Sequence, residues 1–134
     1  MANMSESECI NDITYQIIGC VYEVYNNLGP GLLESVYEEA LVHELKLRGI
    51  NFKQQATLPI LYKHTKLNNP LRIDILVEDL VVVELKSVEV LKAIHYKQIQ
   101  TYLKLSGCKI GLLINFNTDN IKKDIHRIAN NFDE

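Results

Sequence analysis

One stretch in the middle of the chain restricts the fold more than any other. Two β-rich runs, Leu71–Val77 and Leu80–Leu85, flank the polar pair Glu78-Asp79, and this pattern predicts a β-hairpin. The three consecutive valines that begin at Val81 are apolar without alternation, as expected of a strand that is covered on both faces. The sequence therefore predicts a sheet that lies between layers of helices.

Helical and extended patterns alternate around this hairpin. The predicted elements are helices over about 7–28 and 32–47, strands over 51–62, 71–77 and 80–85, a helix over 90–105 and a strand over 110–114. Lys63 to Asn69 is predicted to be a polar turn, and the tail from Thr118 to Asn131 fits either a helix or a strand at a sheet edge. The order α-α-β-β-β-α-β plus a tail predicts an α/β (α+β) fold with a mixed β-sheet flanked by helices.

Length and composition predict one soluble domain. The 134 residues suit a single domain over 1–134, with an N-terminal helix over about 7–28 and a core over about 31–128. A hydrophobic fraction of 47% is typical of a globular chain, and no apolar run reaches the roughly 18 residues that a membrane span needs. Three separated cysteines form no disulfide framework, and the N-terminus lacks a signal-peptide pattern, so we expect a cytoplasmic protein.

Charge is distributed unevenly along the chain. Residues 1–48 carry eight acids and two bases, whereas residues 49–134 carry nine acids and twelve bases, for a net charge of −3. Bulk charge therefore does not provide affinity for nucleic acid, which would need a local basic surface or a metal ion. Lys63, His64, Lys66 and Arg72 place positive charge around the first strands, either as a solvated surface or as a strip for a phosphate backbone.

Asp74, Glu84 and Lys86 are the residues that suggest chemistry. Glu84 and Lys86 are two apart in a strand and share a face, and the hairpin places position 74 opposite about 83 or 84. Two carboxylates that converge inside an apolar sheet repel each other unless a cation neutralises them, and Mg²⁺ binds such oxygen ligands. The alternative is a strand that ends at solvent, with Glu84 and Lys86 as a weak surface pair.

These residues resemble a known group of enzymes. Asp74 followed ten residues later by Glu84-Leu85-Lys86 resembles the PD-(D/E)XK nuclease superfamily, although Ile73 stands where the pattern has proline. Gly31, Glu34 and Tyr37 also fit the pattern of the small bacterial and archaeal GxxExxY family. The resemblance covers residues from about 10 to 128.

The resemblance implies a restriction-endonuclease-like core that hydrolyses phosphodiester bonds with Mg²⁺, for which Mn²⁺ is a possible substitute. It implies that Asp74 and Glu84 are metal ligands, that Lys86 is the catalytic lysine and that Glu34 is a helix carboxylate of the same site. Glu34 also fits a different role, since a carboxylate in the first turn of a helix interacts favourably with the helix dipole.

Gln98 and Tyr102 lie one helical turn apart and resemble the QxxxY element of repair-type members, in which the glutamine reaches the active site. Equally, the two residues fit a tyrosine buried beside an amide. His95 and Arg72 are further predicted substrate contacts, for which the alternative is a solvated side chain. Tyr37 is predicted to be a core aromatic residue with its hydroxyl bonded near the site.

Two functions remain open at this point. The first is a Mg²⁺-dependent nuclease that acts on nucleic acid, DNA in preference to RNA, as a homodimer or with a partner protein that supplies specificity. The second is a nuclease-like nucleic-acid-binding or assembly module without turnover. The predicted catalytic residues are Glu34, Asp74, Glu84, Lys86 and Gln98, and the predicted substrate contacts are Tyr102, His95 and Arg72.

Overall fold

A computed structural model describes residues 4–130 of the chain. No helix in that range has the length and apolar character that crossing a membrane requires. The helices are α1 (Glu6–Leu28), α2 (Glu34–Leu47) and α3 (Ala93–Ser106). The strands are β1 (Phe52–Leu58), β2 (Leu61–Tyr62), β3 (Thr65–Lys66), β4 (Leu71–Val77), β5 (Val81–Lys86), β6 (Ile110–Asn115) and β7 (Ile125–Ala129), and a 3₁₀ turn, Ile121–Asp124, precedes β7.

Five strands form one mixed sheet in the order β1-β4-β5-β6-β7. The central strands β5 and β6 are parallel and are connected through α3, whereas all other neighbours are antiparallel. Strands β2 and β3, which lie between β1 and β4 in the chain, form a separate two-stranded hairpin. The predicted fold class, a mixed sheet flanked by helices, is confirmed.

The two faces of the sheet are covered by different helices. Val83 and Leu85 of β5 pack in a core cluster with residues of α1 and α2. Val82, directly before Val83, packs in a second cluster with Ile99 and Leu103 of α3. Consecutive apolar residues in β5 are therefore all buried, because each face of this central strand has its own helical layer.

The helix ends follow capping chemistry. Ser5 caps α1 by accepting a hydrogen bond from the Glu8 amide, and Gly29, with a φ of 66°, ends the helix. Helix α2 begins at Glu34, later than predicted, because the backbone of Leu33 is still extended. Helix α3 begins at Ala93 and not near residue 90, since Lys92 has extended backbone angles and is the N-cap residue.

Three segments differ from the sequence prediction. Strand β1 ends at Leu58, directly before Pro59, and is an edge strand, which tolerates the missing amide of a proline nearby. The predicted polar turn contains β3, which pairs with β2 at the end of the predicted strand 51–62. The ambiguous tail forms the 3₁₀ turn and then β7, which pairs with β6 at the other edge of the sheet. Asn131, the end of the predicted tail, lies outside the described residues.

Candidate active site

The pairing between β4 and β5 stops where the two carboxylates meet. The last regular pair is Ile75 with Val83, so a continued ladder would pair Asp74 with Glu84. Instead, the Asp74 amide donates to Glu84 Oε1 at 3.0 Å, and the Leu85 amide donates to Asp74 Oδ2 at 2.9 Å. Each carboxylate takes the place of a main-chain acceptor, and the two side chains come together between the strands.

The neighbouring strand β1 is distorted at the same level. Its pairing with β4 skips Gln55 and Asp74, and Gln55 has a φ of 50°. Ile73 packs in the cluster under α3, whereas Ile75 packs in the cluster under α1 and α2. Residues two apart in a regular strand share a face, so the face alternation of β4 breaks at Asp74.

Burial and mutual repulsion favour the protonated form of this carboxylate pair. Glu84 is 2% exposed, and burial together with the negative charge of Asp74 raises its pKa to about 8. Burial also raises the pKa of Asp74, against the effects of the Leu85 amide and the positive charge of Lys86. Without a cation, Glu84 therefore retains a proton at neutral pH.

Lys86 is held by a chain of two hydrogen bonds that begins on α3. Its Nζ donates to Gln98 Oε1 at 2.9 Å, and Gln98 Nε2 donates to the Tyr102 hydroxyl at 3.0 Å. Gln98 and Tyr102 lie one turn apart on α3, so both reach the sheet from the same helix face. The structure thus brings together the lysine and both members of the predicted QxxxY pair.

Glu34 contacts the chain directly after Lys86. Its Oε1 accepts a hydrogen bond from the Ser87 amide at 3.2 Å, and Ser87 Oγ donates to the Leu32 carbonyl at 2.6 Å. The negative charge of Glu34 also contributes to the raised pKa of Asp74. Glu34 therefore lies at the rim of the carboxylate pair and ties the end of β5 to the start of α2.

Tyr37 fixes the loop that leads into α2. Its ring is buried and stacks on Phe116, with 4.3 Å between the ring centroids. Its hydroxyl donates to the Gly29 carbonyl at 2.6 Å and accepts from the Leu32 amide at 3.2 Å. As predicted, it is a core aromatic residue with its hydroxyl bonded near the site.

Glu38 and Gln55 belong to the same neighbourhood but were not predicted. Glu38 accepts from Gln55 Nε2 at 2.8 Å and from Gln54 Nε2 at 3.1 Å, and burial raises its pKa. Gln55 Nε2 also lies 3.5 Å from Asp74 Oδ1. The only signal for Glu38 in the sequence is its spacing of four from Glu34, and the contact made by Gln55 depends on the distortion of β1.

His95 and Arg72 are the two remaining predicted residues. His95 is in the first turn of α3, where its Nδ1 accepts from the Lys92 amide at 3.0 Å. Arg72 is exposed on β4, two residues before Asp74. The roles assigned to both remain predictions, and so do the catalytic roles of the residues that the structure brings together.

The donor set fits a hard divalent cation. Within residues 4–130, no three His, Cys, Asp or Glu side chains converge on a possible metal position, so a cation at Asp74 and Glu84 would have two carboxylate ligands from the protein. Mg²⁺ is commonly bound through one or two carboxylates and takes its remaining ligands from water and phosphate oxygens. Each carboxylate bonds a backbone amide through one oxygen and has a second oxygen for such a cation.

Comparisons with known proteins show the family and the fold. Residues 11–128 match the family described as the PD-(D/E)XK nuclease superfamily. The fold is similar to the crystal structure of a protein named SSO0001, with a TM-score of 0.56 and 25% sequence identity over 74% of this chain and 50% of that chain. The chain thus spans about half the length of that protein, and no curated protein sequence matches it significantly. Since the family match includes both carboxylates, Lys86 and nearly the whole chain, the chain belongs to the PD-(D/E)XK nuclease superfamily.

Proposed function

We propose that this protein is a Mg²⁺-dependent nuclease that hydrolyses phosphodiester bonds in DNA. The observation that carries the proposal is the pair formed by the buried Glu84 and the half-buried Asp74, set where the strand pairing opens and next to Lys86. Two adjacent carboxyl groups at this burial repel each other when both are ionised, which is unfavourable for a structural role, and a divalent cation relieves the repulsion. The superfamily supports the reaction class.

Asp74 and Glu84 would hold the cation. A bound Mg²⁺ polarises a phosphate oxygen and lowers the pKa of a coordinated water, and Mn²⁺ has similar preferences for oxygen ligands. The two backbone hydrogen bonds fix the orientation of both carboxylates before the cation arrives. Because the carboxylates are already oriented, the protein would need little rearrangement of these groups during the reaction.

Lys86 would supply positive charge to the reacting phosphate. Its ammonium group has three protons, of which one is directed to Gln98 Oε1, so two are available for a phosphate oxygen or the attacking water. The Tyr102 hydroxyl fixes Gln98 in turn. We therefore assign Gln98 and Tyr102 to the positioning of Lys86, with a direct substrate contact of Tyr102 as a further prediction.

Gly31, Glu34 and Tyr37 support the finer assignment to the GxxExxY family. Gly31 has a φ of 96°, which favours glycine. The Tyr37 hydroxyl bonds Gly29 and Leu32, on either side of Gly31. Glu34 then bonds the backbone after Lys86. We propose that the motif builds the rim of the active site.

We also propose a homodimer, or a partner protein, as the source of specificity. Leu33 is 74% exposed beside Glu34, and Val90 is 64% exposed three residues after Ser87, so large apolar side chains flank the proposed site. Exposed apolar groups of this kind favour a contact with another chain. Light scattering of the purified protein would measure the oligomeric state, and a monomer with full activity would refute the dimer.

Cleavage of single-stranded, duplex and branched DNA and of the matching RNAs, with Mg²⁺, Mn²⁺ or EDTA, tests the function. Lys86→Ala should lower turnover by about 10²-fold or more, as loss of one preorganised charge does, and leave metal affinity equal or higher. Lys122→Ala, on the 3₁₀ turn, is the matched lysine control and should behave as wild type. If no substrate is cleaved and Lys86→Ala abolishes binding, the binding-module function replaces the nuclease.

A further inference from the structure

We propose that the β2–β3 hairpin binds an unpaired segment of the nucleic-acid strand, with Tyr62 as the side chain on which a base stacks. The inference rests on the proposed function, because it concerns the substrate of the same site. It adds a substrate class, namely nucleic acid that carries unpaired nucleotides next to the bond that is cut.

The hairpin lies at the end of the sheet where the β4–β5 pairing opens at the two carboxylates. It connects Leu58 of β1 to Leu71 of β4, which pair with each other as the last residues of their ladder. Because β4 and β5 are antiparallel, the start of β4 lies at the same end of the sheet as Lys86, the last residue of β5. A nucleic-acid strand that passes the two carboxylates in the direction of β1 would therefore reach the hairpin.

The hairpin exposes apolar side chains that a solvated turn does not need. Leu61 is 68% exposed and Tyr62 is 60% exposed, and every residue of β2 and β3 is exposed. Stacking on an aromatic ring stabilises an unpaired base of any sequence, because every base has a flat face. Binding of phosphate groups alone would not require exposed apolar side chains such as Leu61 and Tyr62.

Positive charge surrounds the exposed ring. Lys63 Nζ lies 5.5 Å from the centroid of the Tyr62 ring, and Lys66 and Arg72 follow along the chain. Within the described part of the chain, none of these three bases forms an ion pair with a carboxylate. Residues 54–73 contain no acid, so the charge of the hairpin is free to attract phosphate groups.

The turn keeps two residues that its geometry disfavours. Lys63 and His64 have φ values of 49° and 66°, the left-handed conformation that two-residue hairpin turns require at both positions. Asn-Gly adopts this turn at lower cost than Lys-His does. The turn therefore places a basic residue and a histidine at the tip of the hairpin.

A cleft at the base of the hairpin has room for a nucleotide. It has a volume of about 330 Å³, and its lining residues are Thr57, Pro59, Lys66, Leu67, Asn68 and Pro70. The lysine, the asparagine and the threonine contribute polar groups to the lining, while the prolines and leucine are apolar. This mixture suits the flat face and the polar edge of a base.

The exposed ring distinguishes unpaired nucleotides from a duplex. In a duplex the base faces are already stacked on their neighbours, and a protein reaches only the base edges and the backbone. Lys63, Lys66 and Arg72 would bind the backbone of either form, whereas stacking on Tyr62 requires a free base face. We therefore expect Tyr62 to matter for single strands and much less for blunt duplexes.

The first test measures binding in EDTA, without cleavage, to a labelled oligothymidylate and to a blunt duplex of the same length. Tyr62→Ala should weaken binding to the oligothymidylate by about 5-fold or more, as expected for the loss of one stacked base. Binding to the duplex should change by less than about twofold, within the scatter expected of a surface change. Tyr15→Ala is the matched control, since Tyr15 is a 79% exposed tyrosine on α1.

The second test separates charge from the fold of the hairpin. The double variant K63N/H64G has the favoured turn sequence, so it should fold and unfold at a temperature equal to or above that of wild type. Its affinity for the oligothymidylate should fall, and the slope of log affinity against log salt should decrease by about 0.7, the value for one lost phosphate contact on a single strand.

The outcomes distinguish this inference from the proposed function. If Tyr62→Ala behaves as Tyr15→Ala, or weakens single-strand and duplex binding equally, the stacking role is overturned even when the wild type remains an active nuclease. An unchanged salt slope for K63N/H64G overturns the contact of the hairpin tip with phosphate. If the wild type neither binds nor cleaves any nucleic acid, the proposed function fails as well.

Discussion

In the proposed site, the carboxyl groups of Asp74 and Glu84 would bind either a proton or a cation. A Glu84 carboxyl that is buried against a second carboxylate holds its proton to a pH near 8, whereas the same group in the unfolded chain loses it near its usual value of 4.5. A divalent cation needs both groups ionised. Proton binding and metal binding at this pair are therefore competitive.

This competition predicts the pH dependence of stability. Between about pH 4.5 and pH 8 the metal-free native state binds more protons than the unfolded chain, so the free energy of unfolding should fall as pH rises, and level off above about 8. Chemical denaturation in EDTA at several pH values measures this slope. In saturating Mg²⁺ the decrease should disappear, because the cation has displaced the proton.

Glu84→Gln is the control for that experiment. The amide cannot ionise, so the metal-free variant should lose most of the fall in stability between pH 5 and pH 8. Its amide oxygen can still accept the hydrogen bond of the Asp74 amide. A slope equal to that of the wild type would assign the titration to another group and contradict the raised pKa of Glu84.

The backbone conformation of Gln55 predicts that the usual stability order of alanine and glycine variants in a strand is reversed at this position. At a φ of 50°, Gln55→Gly should be more stable than Gln55→Ala by about 1 kcal/mol, because an L side chain strains this conformation. Gln54 lies next to it in β1 and also bonds Glu38. There the ordinary strand order should hold, with Gly less stable than Ala by about 0.5–1 kcal/mol. Equal orders at both positions would contradict the distortion of β1.

At the scale of elements, the loop between α1 and α2 controls the position of Glu34. Tyr37→Phe removes the hydroxyl that bonds Gly29 and Leu32 while the ring still stacks on Phe116. We expect a loss of about 0.5–1.5 kcal/mol in unfolding free energy, since the hydrogen bonds to two partly exposed groups of the loop are lost. Denaturant titration measures it, and Tyr15→Phe, at an exposed position, should have no effect.

The same variant tests whether the loop serves the site. If the loop positions Glu34, turnover should fall for Tyr37→Phe at a temperature where the protein remains folded, while metal affinity stays constant, because neither carboxylate ligand contacts the loop hydroxyl. Unchanged turnover would limit Tyr37 to the stability of the fold.

Periodicity predicted the elements that have strong packing patterns and missed those that depend on tertiary context. Strand β5 was predictable because three consecutive apolar residues need two covered faces, and the i, i+2 spacing placed Glu84 beside Lys86. Strands β2 and β3 are too short and exposed to have a pattern, and β7 forms only because β6 offers a free edge. The opening of the β4–β5 ladder comes from side-chain hydrogen bonds, which periodicity does not contain.

At the scale of the whole molecule, the proposed metal site lies between β4 and β5, two interior strands of the sheet. A cation that binds only the native state stabilises the entire fold by mass action. Millimolar Mn²⁺ should therefore raise the melting temperature of the wild type, and the increase should be much smaller for Asp74→Asn. An equal increase in both proteins would place the cation elsewhere.

The hydrogen bonds from the Asp74 and Leu85 amides to the two carboxylates also constrain how such a protein can evolve. Because each acidic side chain bonds a backbone amide of the facing strand, a small apolar replacement at position 74 or 84 would leave a buried amide without a partner. Loss of activity through such a mutation would damage the fold at the same time. A descendant that abandons the chemistry and keeps its structure should therefore carry asparagine or glutamine at these two positions, and the identity of these residues in diverged relatives would show which of them still retain the chemistry.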